Sequence, residues 1–252
     1  MANKRYFVEL AYLGTKFSGW QKQPNAKSIQ EVIEKGLFKI LRTDIEVVGC
    51  GRTDTGVHAK QYFLHFDFEE EIPKNFVSRL NKILPPDIAF KQIVEVESTV
   101  HARFEATHRA YEYHIGFYKN PFTTNTVYHL PFGHQLDREK IQEAASLLLT
   151  YEEFFPFCKS NSDAKTMKCD LMRAEWIFDA EKEEIVFHIS ANRFLRGMVR
   201  LIVGMCLNVG LGKISLEEVE SAMDNQSRLS KSLSVPPHGL FLTDIRYPFE
   251  IK

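Results

Sequence analysis

No stretch of this 252-residue chain is apolar for long enough to cross a bilayer as a helix. Residues Met1 to Arg5 run straight into alternating, strand-like sequence, without the apolar core of a signal peptide. The expected location is therefore the cytoplasm. Cysteine is sparse: Cys50, Cys158, Cys169 and Cys206 include no Cys-x-x-Cys pair, and no histidine pair follows at zinc-ligand spacing. That argues against a disulfide framework and a metal centre, and for free thiols in a reducing compartment. Neither sign of charge is in excess, with 32 Lys and Arg against 33 Asp and Glu. A uniformly basic surface is excluded, so any binding of nucleic acid must rest on local clusters. Acid gathers at Glu69-Glu70-Glu71 and between Glu181 and Glu184. There is no low-complexity tract, linker or repeat, and no G-x-S-x-G, H-E-x-x-H or G-x-G-x-x-G. Gly51 and Gly56 have P-loop spacing, but Val57 stands where the phosphate-binding lysine must be.

What is present is a mixture of strand and helix patterns with 44% apolar residues, ordinary for a globular chain. Strand patterns cover Arg5–Leu13, Ile45–Gly49, Gln61–Phe68, Ile88–Val96, Arg109–Phe117, Met172–Phe178 and Ile185–Ser190. In the third of these, Tyr62, Leu64, Phe66 and Phe68 alternate with more polar residues, which predicts a half-buried strand. Ser28 and Glu31 form a capping-box pattern ahead of the apolar face Ile29, Val32, Ile33, Leu37, Ile40 and Leu41. Further helices are predicted from Asn75 to Leu84, after Asp137, from Arg193 to Val209, and after Ser215 with Glu218 at the third helical position. Strands often follow one another without an intervening helix, so the fold class is α+β with a mixed, largely antiparallel sheet. A boundary near residue 105 would give lobes 1–105 and 106–252.

Three clusters could carry chemistry. Gly49-Cys50-Gly51-Arg52-Thr53-Asp54-Thr55-Gly56-Val57-His58 is a glycine-punctuated loop after a strand, presenting one carboxylate and one arginine. By residue type it fits a turn whose aspartate accepts backbone amides, or a loop that offers the carboxylate to a substrate. Arg193, Arg196 and Arg200 are spaced to form one basic stripe if the segment is helical, and no acid is interleaved. Such a stripe is either a solvated face or a partner for phosphates or a carboxylate. Arg109, Tyr111 and Tyr113 share one face of a strand, where tyrosines either pack or stack on unpaired bases. His65, His129 and His188 have no ligand spacing, and Phe154, Phe157 and Cys158-Lys159-Ser160 read as core followed by a polar turn. A non-catalytic RNA-binding module would account for the tyrosines and arginines but would give Asp54 no task. A carboxylate-dependent glycosidase would need a second acid that the pattern does not offer.

The segment from Gly51 to Ala59 closely resembles the catalytic motif of the tRNA pseudouridine synthases of the TruA family. Phe17-Ser18-Gly19-Trp20-Gln21-Lys22-Gln23 is similar to the family's N-terminal signature, and His101-Ala102-Arg103-Phe104 with Arg109-x-Tyr111-x-Tyr113 to its central block. Phe157-Cys158-Lys159, Asn192 to Arg200, and Pro237 to Leu242 resemble its later blocks, in the right order over nearly the whole chain. Thr55 stands where the family commonly has alanine, and Ala110 and Glu112 where it is often richer in arginine. The resemblance implies the pseudouridine synthase fold, two α/β lobes joined in a mixed sheet with a central basic cleft, a homodimer, and no cofactor or metal. It implies a substrate, the anticodon arm of tRNA at positions 38, 39 and 40. It makes Asp54 the catalytic aspartate, Tyr111 the ring that stacks on the target base, and Arg200 the partner of that aspartate. Arg52 falls on a position concerned with the flipped nucleotide, and Arg193 and Arg196 are candidate phosphate contacts.

Overall fold

The computed structural model describes residues 4–131, 133–159, 164–179 and 183–251. Ser160 and Glu181, singled out in the sequence, lie outside the described residues. In chain order the elements are β1 (Lys4–Tyr12), α1 (Ile29–Leu41), β2 (Val48–Gly49), β3 (His58–Phe68), α2 (Phe76–Ile83), β4 (Ile88–Val96), β5 (His108–Gly116), β6 (Tyr128–His129), α3 (Arg138–Leu147), β7 (Leu171–Asp179), β8 (Glu184–Ala191), α4 (Met198–Gly210), α5 (Leu216–Asp224) and β9 (Leu240–Arg246). The architecture is α+β with mostly antiparallel strand pairing. The chain divides into two compact units, Met1–Thr107 with Phe241–Lys252, and His108–Leu240.

In the first unit, β1 lies between β4 and β3, antiparallel to both. Two residues of β2 pair with β3, and β9 returns to run parallel to the start of β3, with His58 opposite Phe241. The local rules that begin α1 are those read from the sequence: the Ser28 side chain accepts the Glu31 N–H at 3.2 Å, which satisfies one of the free amides of the first turn. Helix α2 ends before Pro85-Pro86, which cannot continue it.

Strand β3 corrects one expectation. Residues Tyr62 to Phe66 are all buried, so its middle is covered on both faces rather than half-exposed. On one face Tyr62 stacks on Trp20 with ring centroids 4.2 Å apart. On the other, Phe63 packs edge-on against Tyr247 at 5.3 Å, while Phe7 meets both Tyr247 and Phe249. Aromatic residues from the far C-terminus thus cover a face that the local pattern left to solvent. The strand expected over Ile45–Gly49 is shorter, only Val48–Gly49 being paired.

In the second unit, β8 lies between β5 and β7, antiparallel to both, and β6 runs parallel to the end of β5. Asp137 caps α3 by accepting the Lys140 N–H, and Ser215 with Glu218 forms the complete capping box of α5. The helix predicted after Asp137 runs from Arg138 to Leu147, and Leu148 and Leu149 lie in a 3-10 turn that follows it. The central element is α4, in which every residue except Arg200 is buried. The helix begins at Met198, not at Arg193. Gly197 precedes it with φ at +72°, a left-handed conformation that ends the run of helical dihedrals and that few side chains tolerate. The apolar periodicity continues through Leu195, which is buried, although the backbone there is not helical.

Candidate active site

Asp54 lies in a loop between β2 and β3 and is half-buried, with Arg52 and Thr55 exposed beside it. The backbone around it is held from several directions. The Thr53 hydroxyl bonds the Tyr12 hydroxyl at 2.9 Å, and the Thr53 carbonyl accepts the Trp20 N–H at 3.2 Å. The Gly56 N–H donates to the Phe17 carbonyl at 3.3 Å, and the Val57 N–H to the Asp54 carbonyl at 3.1 Å. The Gly51 carbonyl accepts the Tyr62 hydroxyl. Downstream, the buried ring of His58 accepts the Gly14 N–H on Nδ1 at 2.9 Å and stacks against Phe241.

The Phe17-to-Gln23 segment therefore does local work: it braces the loop. Gly19 sits at φ +80°, and a Cβ there would fall 2.5 Å from the Thr53 carbonyl. Only glycine brings the two backbones so close. The bracing residues Tyr12, Phe17 and Trp20 were not among the site candidates. The glycine between Ser18 and Trp20 was the sequence signal that a close backbone approach was needed.

The second unit holds the other candidates. Tyr111 is half-buried in β5, and its ring meets Phe194 edge-to-face at 5.2 Å, which fixes its tilt. Tyr113, two residues on, is fully buried and donates to the Pro236 carbonyl at 2.8 Å; burial pushes its phenol well above the ordinary range. Tyr113 is thus a core anchor, while Tyr111 keeps part of its surface.

The basic stripe expected of Arg193, Arg196 and Arg200 on one helix face does not form. Arg193 and Arg196 lie in the loop and turn before α4, and only Arg200 is helical. Arg196 is exposed, and its carbonyl accepts the Lys159 N–H at 3.1 Å. A Cβ on Gly197 would meet the Lys159 side chain at 2.8 Å, so Lys159 packs across this turn. Arg200 is the one residue of a buried helix that keeps some exposure, and its Nε donates to the Val235 carbonyl at 2.7 Å. Gly204, one turn later, makes room for that segment, since a Cβ would lie 1.8 Å from the Leu233 carbonyl.

The four cysteines are free and buried. Burial raises the Cys169 thiol to about 11 and the Cys206 thiol to about 12. Both remain protonated at neutral pH and are poor nucleophiles. Among the described residues no group of three His, Cys, Asp or Glu side chains is placed to hold a metal ion. Among the same residues no helix is long and apolar enough to cross a membrane.

Comparison with known proteins accounts for the order of these blocks. A family described as tRNA pseudouridine synthase matches residues 10–105 and 145–248. The tRNA pseudouridine synthase A of Bacteroides fragilis is 45% identical over 254 residues, covering 100% of this chain and 99% of that protein. The protein of the same name from Bacteroides thetaiotaomicron is 44% identical, covering 98% and 92% of the two chains. The one from Caldicellulosiruptor saccharolyticus is 35% identical, covering 97% and 100%. With matches of this extent over both units, the chain belongs to the tRNA pseudouridine synthase family, a family of isomerases.

Proposed function

We propose that this protein converts uridine to pseudouridine in the anticodon arm of tRNA, at positions 38, 39 and 40, with Asp54 as the catalytic residue. The reading is supported by family membership and by one observation above all. The loop bearing Asp54 is tied on both flanks by backbone bonds to a separate motif, while the aspartate itself keeps part of its surface. A carboxylate held in this way is preorganised for chemistry.

The reaction breaks the N1–C1′ glycosidic bond, turns the uracil, joins C5 to C1′, releases the C5 proton and leaves N1 protonated in its place. Atoms are conserved between substrate and product and no net oxidation occurs, so the reaction calls for no redox cofactor. The target nucleotide must first leave its stack. Asp54 supplies the chemistry, and Arg52 steadies the extruded nucleotide. The carboxylate acts as nucleophile on the ribose or the base, or as the base that opens an elimination. Tyr111 offers its ring as a π-face for the uracil. Arg193 and Arg196 contact phosphates, and Arg200 favours the ionised aspartate. The protein acts as a homodimer in the cytoplasm.

The test is single-turnover pseudouridine formation beside equilibrium tRNA binding for the wild type and Asp54→Asn. The substitution is nearly isosteric and removes the charge and the reacting oxygen. The rate falls at least about a thousandfold, roughly 4 kcal/mol of barrier. Binding holds or tightens, because a neutral amide is not repelled by phosphates. An Asn variant with more than a tenth of the wild-type rate refutes the assignment.

A further inference from the structure

The His101-Ala102-Arg103-Phe104 segment belongs to the central block of resemblance, yet nothing above gives it a task. It forms a tight turn after β4, and it presents an aromatic ring to solvent. Phe104 is 75% exposed on a turn that is otherwise held by hydrogen bonds.

The turn beneath it is fixed. Ala102 is fully buried, and both of its backbone groups are bonded: its N–H donates to His65 Nδ1 at 3.1 Å, and its carbonyl accepts the Tyr247 hydroxyl at 2.7 Å. The His101 N–H donates to the Glu105 carboxylate at 2.6 Å, and His101 Nδ1 accepts the Arg103 N–H at 3.1 Å. Ring contacts run from core to surface. His65 is buried and meets His101 edge-on at 4.7 Å, and His101 packs on Phe104 at 4.2 Å with a tilt of 30°. Burial holds both histidines below their ordinary pKa, His65 at about 4, so at neutral pH the stack is uncharged. The Arg103 guanidinium carbon stands over the Phe104 ring, 5.7 Å from its centre, which places a cation against the exposed aromatic side chain.

We propose that the Phe104 ring, with Arg103 against it, is an RNA-binding subsite that stacks one unpaired nucleobase and draws its phosphate. This rests on the reading of the chain as an enzyme acting on tRNA. The chemistry fits that occupant better than a purely apolar partner, because the exposed ring carries a cation against it. An apolar protein surface gains little from a ring paired with a guanidinium, whereas a nucleotide offers a π-face and an anion together. The ring is already ordered by His101, so binding does not have to immobilise it. The subsite is assigned the task of holding the RNA, separate from the chemistry given to Asp54, so its loss is read in affinity rather than in the saturated rate.

The experiment compares wild type, Phe104→Leu and Phe104→Tyr in the full chain. Each is assayed for equilibrium binding to full-length tRNA, for single-turnover rate at saturating tRNA, and for mass by light scattering. Phe104→Leu keeps apolar bulk and removes the π-face, so its Kd rises about five- to fiftyfold while the saturated rate stays within twofold. Phe104→Tyr keeps the face and binds like wild type. Wild-type affinity in the Leu variant overturns the subsite, and so does a loss of affinity accompanied by dissociation into monomers, which would make the ring a contact between two copies. A fall in saturated rate equal to the fall in affinity also overturns it, since the ring would then act at the target. If the wild type binds tRNA but makes no pseudouridine, the proposed activity fails while the binding comparison still judges the subsite.

Discussion

Gly14 offers a direct test of how finely the Asp54 loop must be placed. A Cβ built on Gly14 lies 1.9 Å from the Val57 carbonyl oxygen and 2.7 Å from its carbon, where real contacts essentially never fall below 3.0 Å. Both partners are backbone, so no side chain can swing aside. In Gly14→Ala one of the two chains must therefore move by about 1 Å. The Val57 N–H bonds the Asp54 carbonyl, and the next residue, His58, holds the Gly14 N–H, so the shift reaches the loop from both sides. A misplacement of about 1 Å in a catalytic group costs on the order of a hundredfold in rate. The overpacking itself costs roughly 1–3 kcal/mol of stability. Gly51→Ala is the control: its Cβ would meet nothing within 4 Å, so it should match wild type in denaturation. The assay is single-turnover pseudouridine formation at saturating tRNA, run well below the denaturation midpoint of each protein, with tRNA affinity measured in parallel. The expected outcome for Gly14→Ala is a loss of rate near a hundredfold with affinity within about threefold. Wild-type rate with wild-type stability would show that the loop yields freely, and the claim that its bracing preorganises Asp54 would fall.

Tyr111→Phe preserves the π-face and its contact with Phe194, so tRNA affinity holds, while loss of the hydroxyl, a candidate to help remove the C5 proton, costs most of the turnover; a near-normal rate would reduce Tyr111 to a platform. Arg200→Ala lowers the saturated rate more than affinity, whereas Arg193→Ala and Arg196→Ala weaken binding and flatten its dependence on salt; unchanged salt slopes in the latter pair would refute their phosphate contacts. His65 is neutral in the folded state because burial lowers its pKa from 6.5 to about 4. The unfolded chain binds that proton more readily, so the contribution is complete above pH 6.5 and is lost as pH falls from 6.5 towards 4, on the order of 2 kcal/mol after allowance for solvent screening. Denaturation at pH 7.5 and pH 4.5 should show a shallower loss in His65→Gln than in wild type, and equal slopes would exclude His65 as the source.

The sequence determined the features whose causes are local. Ser28, Asp137 and Ser215 begin helices where a side-chain oxygen can reach a free amide three residues on, and the structure has each of them. The span Ile88–Val96 is the same in pattern and in structure, since turn residues bound it on one side and β-branched residues fill it. The ordered blocks of resemblance were legible too, and the Asp54 segment read as a loop because its glycines leave little else. What the tertiary structure decided was everything that depended on distant partners. The second covered face of β3 has Tyr247 packed on Phe63, more than 180 residues away along the chain, and no window around Phe63 could contain it. The helix expected from Arg193 failed at Gly197: buried Leu195 and Met198 kept the helical period while the backbone between them turned left-handed. Apolar periodicity reports which side chains face a core, not whether the backbone that carries them is continuous. The bracing of Asp54 by Tyr12, Phe17 and Trp20 was likewise invisible, because a backbone amide that bonds across loops leaves its mark in the sequence only through the glycine that makes room for it.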